Sequence, residues 1–86
     1  MVYEIIISEK AEKDADKMDS EMYRRFVKKI EKLKENPEVG KPLSHSFAGL
    51  WELYFEKSFR IIYSIDKKNL KVYIIAILHK NDFRRF

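Results

Sequence analysis

The sequence predicts an α+β fold of order β-α-α-β-β-β, a helical hairpin packed on one face of a small, mostly antiparallel sheet. Three observations lead there. The 86 residues are 45% hydrophobic and include six Phe, five Tyr and one Trp, enough for one globular core near the lower size limit. Two neighbouring segments, each opened by a capping residue, repeat apolar side chains at helical spacing. Three strand-like runs then follow one another, the first clearly alternating and the last apolar on both faces. One domain over residues 1–86 is expected.

Val2 to Ile7 is a β-branched and aromatic run, which predicts a first strand. Ser8 offers an N-cap, and Ala11, Ala15 and Met18 share one face of a helix from Glu9 to about Met18. Asp19 or Ser20 caps a second helix, whose apolar stripe is Met22, Tyr23, Phe26, Val27, Ile30 and Leu33 and which Asn36-Pro37 ends. Pro37 to Ala48, with Gly40 and Pro42, reads as a loop or irregular edge. Leu50–Glu56 alternates, with Trp51, Leu53 and Phe55 opposite Glu52, Tyr54 and Glu56. Phe59–Asp66 sends Phe59, Ile61, Tyr63 and Ile65 one way and Arg60, Ile62, Ser64 and Asp66 the other. Leu70–Lys80 is apolar on both faces, as a central strand is.

The turn Asp66-Lys67-Lys68-Asn69 sets the register of the last hairpin. Asn tolerates the left-handed conformation, so a type I turn with Asn69 as the bulge residue is expected, pairing Asp66 with Leu70. That register turns Tyr73, Ile75 and Ile77 towards the helices beside Ile61 and Tyr63. It puts Lys80 on the face of Arg60, Glu52 and Tyr54. It also leaves Ile62, Val72 and Ile74 among charged side chains on a face without a helix, and an exposed half-apolar face implies a partner.

Composition narrows the chemistry. There is no Cys, which excludes disulfides and thiolate zinc sites, and His45 and His79 alone give no basis for a metal site. No cofactor is expected. No apolar run approaches the ~20 residues of a membrane span, and the N-terminus lacks a leader pattern, so a soluble, cytoplasmic domain is expected with no membrane association. Rich use of Lys, Glu and Ile, with no Gln or Thr, resembles proteins of thermophiles. Net charge is +4, unevenly spread. Residues 9–36 mix nine cations with eight acids, whereas residues 57–86 hold eight cations against Asp66 and Asp82. A cationic C-terminal third suits an anionic partner, nucleic acid or acidic protein.

"GLWELYFEKSFRIIYSID" followed by "VYIIAILHKNDFRRF" resembles the RelE/ParE superfamily of toxins from type II toxin–antitoxin pairs, and the RelE branch most. The family pattern is a strand with Arg-apolar-apolar-Tyr, a hairpin, and a last strand ending in basic residues before a short tail. "KPLSHSFAGLWEL" resembles the family segment between helix and sheet, and the order of elements matches over essentially the whole chain.

The resemblance implies a ribosome-dependent messenger RNA endonuclease that works without metal, by 2′-OH attack on the adjacent phosphate. Arg60 matches the family's strand arginine, assigned to the scissile phosphate. Lys80 stands where a second arginine is usual, and His79 beside it suits a base. Arg84 and Arg85 would bind phosphate and Phe86 would stack on a base, with Lys57 and Tyr54 completing the RNA surface. An acidic RelB-like antitoxin, assembled as a heterotetramer, would cover Ile62, Val72, Ile74 and Arg60. The ribosome and messenger RNA are the other implied partners.

From the residues alone, Arg60 also suits an ion pair with Glu52 or Glu56. The chain departs from the pattern in two places. Glu52, Leu53 and Tyr54 stand where relatives often carry a strand lysine, and the tail "NDFRRF" lacks a tyrosine. Two alternatives follow: a ParE-like toxin that inhibits DNA gyrase by contact, and a degenerate member that acts only within its antitoxin complex.

Overall fold

A computed structural model describes residues 2–85, with side chains described for residues 2–82. Strand β1 (Glu4–Ile7) leads through Ser8 into helix α1 (Glu9–Ala15), and helix α2 (Ser20–Glu31) follows. A short strand β2 (Lys41–Pro42) precedes β3 (Leu50–Phe55), β4 (Phe59–Asp66) and β5 (Lys71–His79). The sheet order is β1-β5-β4-β3-β2, with β1 parallel to β5 and the other pairs antiparallel. This is the expected α+β architecture with one added edge strand. Pro42 is tolerated there because an edge strand has an N–H side free of the ladder.

The caps sit where the sequence places them. The Ser8 hydroxyl accepts the Ala11 N–H at 3.1 Å and donates to the Ile75 carbonyl at 2.7 Å. One side chain therefore starts α1 and ties it to β5. Asp19 caps α2 by accepting the Met22 N–H at 2.8 Å. Helix α1 is shorter than expected. It ends at Ala15, because the N–H groups of Lys17 and Met18 turn back to Asp14 and Ala15 in a tighter, 3₁₀-like coil. Its small buried residues, Ala11 and Ala15, let it lie close on β5, where Asp14 accepts the Ile77 N–H at 3.1 Å. That contact covers part of the edge that β5 presents beyond its pairing with β1.

The register of the last hairpin differs from the expected one. Asp66 pairs with Lys71, so the loop has four residues, and Leu70 adopts the left-handed conformation at φ 55°. The Asp66 carboxylate causes this by accepting both the Asn69 N–H (3.1 Å) and its amide Nδ2 (2.9 Å). Those bonds, the side-chain one foremost, hold the Asp66 carboxyl below the usual carboxylate range. The one-residue slip turns Val72 and Ile74 to the helix side, where both are fully buried, and leaves Tyr73 on the other face. A bulge between Ile74 and Ala76 then restores the expected facing, so Ile77 packs with Ile61. The expectation that Tyr73 and Ile75 face the helices, and that Val72 and Ile74 lie on the helix-free face, is thus corrected. Ile77 alone of the three expected residues sits where the sequence put it.

The helix-side core gathers Phe26, Ile30, Leu33, Leu53, Phe55 and Ile61 with Tyr63, Val72 and Ile74. The opposite face carries a second, smaller cluster of Ile62, Ala76 and Leu78, packed under Leu43, Leu50 and Ile75. Ile62 is on the helix-free face as expected but fully buried, since the chain between β2 and β3 folds over it. Among the described residues no helix is long and apolar enough to cross a membrane.

Candidate functional site

The helix-free face assembles its polar group by strand register. Tyr54 of β3 lies directly opposite Arg60 of β4, and Glu52, two residues earlier on the same face, lies opposite Ile62. An Nη of Arg60 meets the Glu52 carboxylate at 3.3 Å. The guanidinium also lies 5.2 Å from the centroid of the Tyr54 ring. Glu52 is the one charged residue among the buried ones described, its side chain 8% exposed, while that of Arg60 is 31% exposed. A carboxylate removed from water costs several kcal/mol unless it is paired, and the ion pair with Arg60 offsets that cost.

Lys41 joins this group from the sheet edge. It pairs in register with Glu52, and its ammonium lies 5.5 Å from the same Tyr54 ring. The strand is anchored just before it. The Gly40 N–H donates to the Tyr63 hydroxyl at 3.1 Å, and that hydroxyl donates to the Pro37 carbonyl at 2.7 Å. Tyr63 is fully buried, and burial pushes its phenol up to about 12. Gly40 is required by close approach: a Cβ there would collide with the Glu52 carbonyl oxygen and the Tyr63 hydroxyl.

Of the residues singled out from sequence, Arg60 and Tyr54 are brought together. Lys57 is nearby, exposed in the loop joining β3 and β4. Glu56 of that loop, at φ 52°, is held to α2 by Arg25 at 2.7 Å. Lys80 leaves the sheet rather than ending the strand. It opens a terminal 3₁₀ turn (Lys80–Arg85), its N–H donating to the Ser58 carbonyl at 2.7 Å.

His79 does not join Arg60. It pairs with Phe59, edge-on to that ring at 5.4 Å, on the helix side of the sheet. There it lines a groove of about 540 Å³ with Lys17, Met18, Met22 and Phe59. The sheet therefore separates the imidazole from Arg60. The side chains of Arg84 and Arg85, and Phe86 altogether, lie outside the described residues. Among the described residues no group of three or more His, Asp or Glu is placed to hold a metal ion.

Lys41 escaped sequence reasoning because Gly40-Lys41-Pro42 reads as loop. The one available signal was Pro42, which an edge strand accepts. Glu52 was visible in the sequence as a partner for Arg60 and, standing where relatives often carry a lysine, as a carboxylate that would repel RNA unless it is the base. Chemically, the group offers a nearly buried carboxylate, two cations for an anion, and an exposed aromatic ring.

A family model described as the ParE toxin of type II toxin–antitoxin systems matches residues 5–82. A Methanocaldococcus jannaschii protein named as toxin RelE4 is 26% identical over 84 residues, which span 94% of this chain and 89% of that relative. The toxin–antitoxin complex RelBE2 of Mycobacterium tuberculosis contains a chain that superposes with a TM-score of 0.80 at 26% identity, over 92% of this chain and 99% of that one. A chain of the archaeal RelE–RelB complex of Pyrococcus horikoshii superposes with a TM-score of 0.76 at 22% identity, over 93% and 97%. At that last identity the likeness is one of fold.

Proposed function

The chain belongs to the RelE/ParE family of type II toxin–antitoxin toxins, and from that membership we propose that it is a RelE-type, ribosome-dependent messenger RNA endonuclease. The observation that carries this reading is the nearly buried Glu52 carboxylate held against Arg60 beside the exposed Tyr54 ring.

The reaction assigned to the site is an internal transfer. The ribose 2′-oxygen bonds to the adjacent phosphorus, and the bond from phosphorus to the 5′-oxygen breaks, leaving a cyclic phosphate and a 5′-hydroxyl. Glu52 takes the 2′-hydroxyl proton, a role that one correctly placed carboxylate can fill. Arg60 neutralises the extra charge on the phosphorane through its fork of N–H donors. Lys80, entering the terminal turn beside β4, donates a proton to the leaving 5′-oxygen. The chemistry requires no metal, because the cations that offset phosphorane charge come from the chain itself. Lys57, Arg84, Arg85 and Phe86 extend the RNA surface, and Tyr54 offers it a stacking face. The protein works in the cytoplasm on ribosome-bound message. An acidic, RelB-like antitoxin that folds as it wraps the toxin neutralises it, as a heterotetramer, with Arg60 among the residues it covers.

A second reading has an observation of its own. The matching family model is described as ParE, and this chain has Glu52, Leu53 and Tyr54 where a strand lysine is usual. On that reading the chain poisons DNA gyrase by contact and cleaves nothing.

The test is messenger RNA cleavage in a purified translating system with cognate ribosomes, wild type against Arg60→Ala. Discrete cuts within codons, abolished in the variant, are expected. Intact message with folded wild-type protein that still binds its antitoxin would overturn the nuclease reading. A supercoiling assay with gyrase would then decide for the second.

A further inference from the structure

Lys41 has the marks of a residue built into the site rather than a lysine passing near it. Its backbone is fixed on both sides. Before it, Gly40 is pressed against β3 and hydrogen-bonded to the buried Tyr63 hydroxyl. After it, Pro42 fixes the chain direction and the Leu43 N–H donates to the Leu50 carbonyl at 2.8 Å. The side chain makes no ion pair among the described residues, although its register partner is Glu52. The ammonium instead leans over the ring of Tyr54, whose other cationic neighbour is Arg60.

Lys41 and Arg60 thus flank one half-exposed aromatic ring from the strands on either side of β3. Adjacent strands lie about 4.8 Å apart. Glu52 supplies one negative charge between two positive ones, so the group as a whole favours an anion. An aromatic face between two cations suits single-stranded nucleic acid, with a base on the ring and phosphates on either side.

We infer that Lys41 is a second phosphate-contacting residue, binding the phosphate next to the scissile one, so that RNA crosses the strands from β4 to β2 with Tyr54 beneath the intervening base. The edge strand would then supply the cation that β3 lacks. Tyr63 acts as a positioning residue, through the Pro37–Gly40 turn that it fastens. This inference rests on the nuclease reading and adds a contact to it.

The experiment measures binding of the full chain to a fluorescent single-stranded RNA made uncleavable by 2′-O-methylation, over a series of salt concentrations. Wild type, Lys41→Ala, Lys41→Arg and Arg60→Ala are compared, with ribosome-dependent cleavage run in parallel. For Lys41→Ala the expected result is affinity lowered roughly tenfold or more. Its plot of log affinity against log salt should be shallower by about 0.7, one phosphate's share. KM should rise with kcat largely kept, and Lys41→Arg should recover both slope and affinity. Wild-type affinity and slope in Lys41→Ala, while Arg60→Ala is weakened, would overturn the role of Lys41 and leave the nuclease reading standing. Wild-type protein that neither binds nor cleaves RNA overturns the nuclease reading, and this inference with it.

Discussion

On the helix side of the sheet, Phe26 of α2 and Leu33 just beyond it are sealed against Ile61 and Ile74 of the strands. On the other side, Ile62 and Ala76 are just as fully buried, but beneath Leu43, Leu50 and Ile75, with a charged pair beside them. The first face is a folding surface. Its helices are amphipathic and have nowhere else to put their apolar stripes. The second is half floor, half site. A small apolar patch fixes the chain between β2 and β3, and the remaining positions carry Lys41, Glu52, Tyr54 and Arg60. Burial on one side supports stability; burial of Glu52 on the other is a cost that its ion pair with Arg60 offsets. Substitutions on the two faces should therefore fail in different ways.

The sharpest contrast comes from removing Phe26, which is fully buried and edge-on to Phe55 at 5.9 Å. Phe26→Ala should lower the unfolding free energy by about 3–5 kcal/mol in a denaturant titration, a large share of what a domain this size possesses. Activity should be lost with the fold. On the other face, Glu52→Gln should slow message cleavage by roughly 10²–10⁴-fold. The same titration should move by no more than about 1 kcal/mol, because Gln still accepts a hydrogen bond from Arg60. Equal losses of stability and activity in Glu52→Gln would make the pair a structural one and break the contrast.

The smallest effect joins the two faces. Tyr63 packs in the helix-side core, yet its hydroxyl fastens the turn that delivers Lys41. Tyr63→Phe should cost about 1–3 kcal/mol, the penalty for leaving buried backbone groups unpaired. It should weaken RNA binding in the wild-type background and not in Lys41→Ala. The pH profile offers a second check. The folded state holds the Tyr63 proton more tightly than the unfolded chain does, since burial raises its pKa to about 12. That stability is fully present below the ordinary tyrosine range and is lost as pH rises through it towards about 12. Tyr63→Phe should flatten this alkaline decline in thermal melts.

Much of the molecule is legible in the residues. Ser8 and Asp19 announce the helix starts, Phe26, Ile30 and Leu33 the buried stripe, and the alternation of β3 and β4 the faces of Glu52, Tyr54 and Arg60. These are local signals: a cap needs only its own first turn, and an alternating strand declares its own inward side. The resemblance in Arg60-Ile61-Ile62-Tyr63 pointed to the right family for the same reason. What the residues did not disclose lies where the pattern is silent. β5 is apolar on both faces, so hydrophobicity cannot say which side of it is inward. The Asp66–Asn69 hydrogen bonds, the left-handed Leu70 and the bulge at Ile75 decided that together. They buried Val72 and Ile74 against the helices and left Tyr73 and Ile75 on the other face. Lys41 was hidden for a related reason. A two-residue edge strand has no period to read, and its place depends on Tyr63, 23 residues beyond Gly40, reaching back to hold the turn. Sequence alone determined the main elements, though not the short edge strand β2, and the cationic strand arginine. Tertiary structure determined which charges meet, because register and edge pairing are settled by contacts between residues far apart in the chain.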